Sequence, residues 1–268
     1  MIPKVIIWAT PRSRCTVFHR SVEQIQGVQT MYHFYNIAFY NGINRSGKTL
    51  GRPEVRVVFD NYSYDELKTK MEGLAKKEGA TGVIVSEHQF SFYGDVYTID
   101  NIVSDEYDHC ILIRNFWCTL RSLRNVFQKL NTAVTANNFD ELCSFKQLYE
   151  VYANLMKRDL KQNILILNTS RVSSDPEKYI KHFCTHFGFT YNPKCKNWGA
   201  DSYSSVREYP IKYIRDYYCG TALNSSNWMP EEDINEEEFK HSLPKEIQSW
   251  ADEQILYWEK LNDLSVIL

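Results

Sequence analysis

Between Lys4 and Val22 the chain reads Lys-Val-Ile-Ile-Trp-Ala-Thr-Pro-Arg-Ser-Arg-Cys-Thr-Val-Phe-His-Arg-Ser-Val. Val5 to Trp8 is a short, continuous apolar run, the pattern of a strand buried on both faces. Thr10 and Pro11 break that run, and from Thr16 the apolar residues Val17, Phe18, Val22 and Ile25 recur at helical spacing. A strand that feeds a tight polar loop and then a helix aims backbone N–H groups and a helix N-terminus at one point, which suits an anion. Arg12, Ser13, Arg14 and Thr16 add two cations and two hydroxyls there. The stretch predicts a phosphate- or sulfate-binding loop; the competing reading is a surface turn with incidental arginines.

Further apolar runs repeat the buried-strand signal. Val83–Val85 leads into Ser86, Glu87 and His88; His109–Ile113 leads into Arg114; Ile164–Leu167 leads into Asn168. Helical spacing separates them: Tyr64–Lys77, a segment from Arg114 to about Leu130, Phe139–Lys161, Pro176–Phe187 and Pro244–Leu261. Asp175 with Pro176 reads as an N-cap with proline at the first helical position, and Gly188 as the C-cap. Strands alternating with helices predict an α/β fold with a doubly wound parallel sheet flanked by helices. In 268 residues, without a repeat or linker, residues 1–268 read as a single domain. In such sheets ligands sit outside the carboxyl ends of the strands, so His88 and Arg114 fall where chemistry is expected.

A net charge of −2 gives no reason to expect nucleic acid as a partner. The longest N-terminal apolar run is too short for a signal peptide or a membrane span. Seven cysteines, at 15, 110, 118, 143, 184, 195 and 219, form no close metal-ligand pair and leave an odd count, which predicts reduced thiols in a cytoplasmic protein. No ligand cluster in the sequence argues for a metal. Aromatics at 14% of the chain fill a core or line a pocket for a flat organic molecule. They are dense from Val28 to Tyr40, where His33 is read either as facing a bound acceptor or as a structural histidine. Gly42-Ile43-Asn44-Arg45-Ser46-Gly47-Lys48-Thr49 matches the Walker A pattern. It lacks a preceding buried strand, and Gly51 and Pro53 oppose a following helix, so it is read as a loop. The acidic run Glu231–Glu238 reads as a solvated face.

Thr10–Thr16 resembles the 5′-phosphosulfate loop of sulfotransferases that use 3′-phosphoadenosine 5′-phosphosulfate, in a divergent Pro-Arg-Ser-Arg-x-Thr form. Arg114, Asn115 and, eight residues after the arginine, Ser122 resemble that family's 3′-phosphate motif, with Phe116 where proline is usual. The block from Ile164 through Asp175-Pro176 to Phe189 resembles the stretch that follows the family's acceptor region, although Asn168-Thr169-Ser170-Arg171 replaces the usual Tyr-Glu-Asp-Leu. Trp198, Ser202, Ser204, Ser205 and Arg207 lie where the family places a segment that covers the cofactor, but its Arg-Lys-Gly triplet is missing.

The resemblance implies a P-loop-like sheet related to nucleotide kinases. It also implies transfer of a sulfuryl group from 3′-phosphoadenosine 5′-phosphosulfate to a hydroxyl or amine of a small-molecule acceptor, leaving adenosine 3′,5′-bisphosphate. The cofactor-binding residues implied are Arg12, Ser13, Arg14, Cys15, Thr16, Arg114 and Ser122. Arg12 would also stabilise the leaving phosphate. His88 is the first candidate for the base that takes the acceptor proton and Glu87 the second, because Ser86-Glu87-His88 keeps only the histidine of the usual Lys-Thr-His. A small-molecule kinase and a sulfotransferase-like binding protein without catalysis are the alternatives. Neither the acceptor's identity nor the oligomeric state is legible.

Overall fold

The computed structural model describes residues 2–41, 59, 62–92, 106–157, 163–199, 202, 204–212 and 215–268. The Walker-like segment Gly42–Thr49 and the Asp95–Ser104 stretch lie outside the described residues.

Five parallel strands form one sheet: β1 (Lys4–Ala9), β2 (Val28–Tyr32), β3 (Gly82–His88), β4 (Asp108–Ile113) and β5 (Ile164–Asn168), in the order β2-β3-β1-β4-β5. The chain winds from β1 to one side, returns, and continues on the other, which is the doubly wound α/β topology expected. The alternation of strand side chains splits the core. Ile6, Trp8, Ile111 and Ile113 enter the apolar cluster on one face; Val5, Ile7, Ala9, Cys110 and Leu112 enter the cluster on the other. Burial on both faces is why these strands read as continuous apolar runs.

Helices cover both faces. α1 (Cys15–Val22) contributes Phe18 and Val22 to one cluster, joined by Tyr179, Ile180 and Phe183 of α8 (Pro176–Phe187). The other cluster takes α2 (Phe34–Asn41), α3 (Tyr64–Leu74), α4 (Phe116–Lys129), α5 (Ala136–Cys143), α6 (Phe145–Lys157) and the C-terminal α10 (Lys245–Asp263). α7 (Thr169–Ser174) directly follows β5, and α9 (Glu236–His241) precedes α10. Asp175 caps α8 by accepting from the Lys178 N–H, and Gly188 ends it at φ 77°, both as expected.

Four local details go beyond the sequence pattern. β2 carries Gln29 and Thr30 on a half-exposed edge strand, which blurs its apolar pattern. The helix expected over Phe139–Lys161 breaks at Ser144, whose backbone is extended. Gln254, buried in α10, accepts from the Lys146 N–H and so caps α6. Residues 169–174 are helical, with Asn168 as N-cap to Ser170. Leu256, an apolar residue of α10, is 54% exposed.

Candidate active site

β1 ends at Ala9, which pairs with His88 of β3 on one side and Leu112 of β4 on the other. The three carboxyl ends therefore open at one place, the switch point of the winding. A cleft of about 570 Å³ lies there, lined among others by Arg12, Arg14, Cys15, Thr16, His88, Arg114 and Ser122. Seven of the nine residues singled out from sequence thus line one cavity, although they come from three separate parts of the chain.

The backbone of the loop has an unusual conformation. Arg12 and Arg14 both hold left-handed conformations, φ 71° and 63°, which are costly for side chains with a Cβ. Left-handed residues beside right-handed ones can turn successive N–H groups to one side as a nest. No side chain caps α1, so its first N–H groups, which lack an intrahelical partner, face the cleft end. Ser13 departs from its expected role. It is fully buried, and its hydroxyl donates to the Thr10 carbonyl at 2.6 Å, while its own carbonyl accepts from Thr169. Its side chain staples the turn and does not line the cleft.

Arg12 donates through Nε to Ser122 Oγ at 3.0 Å and through Nη1 to the Tyr218 carbonyl at 2.5 Å. Ser122 therefore orients the loop arginine. Arg114 donates through Nη1 to the Arg12 carbonyl at 3.1 Å. Its other two donor nitrogens form a two-point pair with Glu231, Nε to Oε2 at 2.9 Å and Nη2 to Oε1. Arg14 Nη2 reaches the same carboxylate at 3.2 Å, and Ser170 Oγ donates to it at 2.9 Å. Arg14 also donates to the carbonyls of Met229 and Pro230. Burial works against the charge of Glu231, but the bond from Arg114 and the charges of Arg114 and Arg14 outweigh it and hold the carboxyl below its ordinary range.

The first residue of the acidic run is thus no solvated surface charge. Two arginines and a serine that could grip a phosphate are gripping a carboxylate of the chain itself. Ser170 belongs to this cluster although Asn168–Arg171 reads as a structural loop. Neither Ser170 nor Glu231 carries a local pattern that marks it; the signal is only that an acidic run follows a stretch rich in small polar residues.

At the other end of the cleft the groups are neutral. His88 is buried, and burial followed by the nearby Arg12 charge pushes its imidazole down to about 3. Its Nε2 lies 3.6 Å from Cys15 Sγ, and its Nδ1 pairs with the Asn36 amide at 3.2 Å. Asn36 Oδ1 is buried with no hydrogen-bond partner. Turning that amide over lets Oδ1 accept from His88 Nδ1–H, which satisfies the oxygen and leaves a lone pair on Nε2 facing the cleft. His33, following β2 at φ 50°, stacks on His88 with ring centroids 3.8 Å apart. Tyr32 OH and Thr16 Oγ1 lie 2.6 Å apart beside them.

Glu87 is a correction. Side chains alternate along a strand, so Glu87 points away from the face that His88 presents. Its Oε1 accepts from the Tyr35 N–H at 3.0 Å at the start of α2, and it is wholly buried. Burial pushes its carboxyl up to about 8 against the opposing pull of the helix N–H groups. It is an interior anchor for α2 and has no access to a molecule in the cleft.

No protein-family model matches the sequence, and no curated protein matches it. Solved structures do match in shape. The sulfotransferase domain of the Synechococcus PCC 7002 olefin synthase aligns over 96% of this chain and 94% of its own, at 13% identity and a TM-score of 0.56. A sulfotransferase from Alicyclobacillus acidocaldarius aligns over 99% and 98%, at 12% identity and a TM-score of 0.54. The sulfotransferase domain from the curacin biosynthetic pathway aligns over 97% and 98%, at 10% identity and a TM-score of 0.52. At these identities the likeness is one of architecture: over nearly its whole length the chain has the fold of sulfotransferase domains.

Proposed function

We propose that this chain, as one domain over residues 1–268, is a sulfotransferase. It moves a sulfuryl group from 3′-phosphoadenosine 5′-phosphosulfate to a hydroxyl or amine of a small organic acceptor. The observation that carries this reading is the convergence of a backbone anion nest, Arg114 with Ser122, and His88 on one cleft, at the carboxyl ends of β3, β1 and β4.

In this reading the N–H groups of Arg14, Cys15 and Thr16 and the guanidinium of Arg12 hold the 5′-phosphosulfate. Charge that builds on the bridging oxygen as the S–O bond breaks is stabilised by donors already in place. Arg114 and Arg14 take the 3′-phosphate, with Ser170 beside them and Ser122 fixing Arg12. Glu231 leaves as the phosphate arrives. His88 Nε2 accepts the acceptor proton while the new S–O or S–N bond forms. Because burial and the Arg12 charge push its imidazole down to about 3, the base is unprotonated at neutral pH. An anionic phosphosulfate beside Arg12 offsets the charge that helps depress it, so cofactor binding strengthens the base.

The apolar part of the cleft, with Tyr40, Phe90 and Tyr209 in its lining, suits an organic acceptor. A cytoplasmic location is supported by seven unpaired cysteines. Among the described residues no helix is long and apolar enough to cross a membrane.

Isothermal titration tests the cofactor, and transfer of radiolabelled sulfate over a broad acceptor panel tests turnover. Adenosine 3′,5′-bisphosphate should bind without metal, and ATP with magnesium should bind at least about tenfold more weakly. The reverse preference would make the protein a kinase. Tight binding of the bisphosphate without turnover on any acceptor would make it a binding protein of the same fold.

A further inference from the structure

Cys15, His33 and His88 are far apart in sequence, but they follow or end three neighbouring strands in the order β2-β3-β1. His33 comes one residue after β2, His88 ends β3, and Cys15 opens the helix after β1. All three are buried, and their donor atoms lie within 4.8 Å of one another. Cys15 Sγ stands 3.6 Å from His88 Nε2 and 3.8 Å from His33 Nε2. A tetrahedral zinc ion, with Zn–S about 2.3 Å and Zn–N about 2.0–2.1 Å, holds a sulfur and a nitrogen ligand about 3.6 Å apart. The two distances are those of a zinc site before the ion enters.

We propose that Cys15, His33 and His88 form a binding site for zinc whose fourth position opens into the cleft. Thiolate and imidazole are donors that prefer zinc to magnesium or calcium. On binding, the Cys15 S–H proton leaves to solvent and the sulfur's electron pair forms the Zn–S bond; both imidazoles ligate through lone pairs with no change in protonation. The rings, 26° from parallel, tilt so that both Nε2 lone pairs meet one ion. Asn36 supplies the outer partner, holding His88 Nδ1–H once its amide oxygen faces the ring. His33 Nδ1 is buried without a hydrogen-bond partner, and its backbone is held at φ 50° by the bond from its N–H to the Ser86 carbonyl. This is a strained histidine whose placement no hydrogen bond of its distal nitrogen explains. Burial is the main cause that pushes both imidazoles down and favours the neutral form that ligates, followed by the Arg12 charge at His88 and the neighbouring histidines at His33.

Three protein ligands and one open position is the layout of a reactive zinc site rather than a closed structural one. The lone pair that binds the ion is the lone pair that would take the acceptor proton, so zinc and base catalysis exclude each other. Zinc therefore inhibits sulfuryl transfer by competing with the acceptor. Zinc binding itself needs no cofactor; only the inhibition rests on His88 acting as the base.

The test is titration of the purified, chelator-stripped full chain with zinc against a chromogenic chelator, and with cobalt by absorption spectroscopy. One ion per chain is expected, with a thiolate-to-cobalt charge-transfer band that Cys15→Ser abolishes. Cys15→Ser and His33→Gln should each weaken zinc by at least about tenfold to a hundredfold. Adenosine 3′,5′-bisphosphate binding and the melting temperature of His33→Gln serve as the folding control. No stoichiometric zinc, or zinc binding that survives both substitutions in folded protein, overturns the site. Zinc bound with the cobalt band present, but no affinity for the bisphosphate, keeps the site and sinks the sulfotransferase reading instead.

Discussion

The two ends of the cleft manage charge in opposite ways. At the Arg114 end, the guanidinium groups of Arg14 and Arg114 are matched by a carboxylate from a distant segment, Glu231, with a serine completing the contact. At the His88 end no counter-charge is supplied, and desolvation keeps the ring neutral. The first arrangement is exchangeable, because one anion can replace another at little electrostatic cost. The second is not, because bringing a proton or a cation there requires a new anion beside it. On the proposed reading, in which the cleft holds a polyanion at one end and moves a proton at the other, this asymmetry serves both tasks.

The sharpest way to break the comparison is at His88. Removing a positioned base costs about 10²–10⁴ in rate. His88→Asn should lose turnover by that factor while binding adenosine 3′,5′-bisphosphate as the unaltered protein does. Retention of more than a tenth of the rate, with chemistry shown to be rate-limiting, would remove His88 from the mechanism.

At the opposite end, Arg114→Ala should weaken adenosine 3′,5′-bisphosphate by roughly tenfold or more. That follows from about 1.5–3 kcal/mol for a charge-assisted hydrogen bond. Adenosine 5′-phosphate should be nearly unaffected, and equal losses for the two ligands would show that Arg114 serves the fold. Titration calorimetry separates the cases.

Glu231→Gln bears directly on exchangeability. With the competing carboxylate gone, the bisphosphate should bind about threefold to tenfold more tightly. The gain stays below the full worth of a charged pair because the site is partly exposed to solvent. Weaker binding in the variant would mean that the segment carrying Glu231 closes over the nucleotide and holds it.

Glu87 supplies the smallest effect on turnover and a control for the neutral end. Glu87→Gln should change the rate by less than about threefold, since the side chain has no access to the cleft. Its signature lies in stability. Burial raises its folded-state value to about 8, above an unfolded value of 4.5. Its protonation therefore stabilises the fold fully below pH 4.5, and that contribution is lost as pH rises through 8. The difference in stability between the variant and the unaltered protein should widen in the variant's favour by up to about 1.4 kcal/mol per pH unit across that window. Chemical denaturation at pH 5, 6.5 and 8 measures it; a constant difference would place the carboxylate in contact with water.

The topology was readable early because its evidence is local. Strands buried on both faces must be apolar throughout, so β1, β3, β4 and β5 stand out, while the half-exposed edge strand β2 does not. Thr10–Thr16 was readable because a loop between strand and helix has to sit at the strand's carboxyl end, whereas the Arg114–Ser122 pair stood out only through the family resemblance. Ser13 and Glu87 were misread because residue type and position do not tell which way a side chain turns. Ser13 donates back into its own turn, and Glu87 points to the face that anchors α2.

By itself, then, the sequence determined a doubly wound parallel sheet, a tight polar loop after its first strand and the short list of side chains near it. Periodicity, caps and turn residues act over a few residues and need no knowledge of distant neighbours. Only the tertiary structure decided what those side chains face. Glu231 meets Arg114 across 117 positions of chain, and Cys15 meets His88 across 73. Such pairings come from the order in which strands assemble, which no local pattern encodes. The same assembly removes water from one end of the cleft and leaves charge at the other, and thereby sets which groups carry protons.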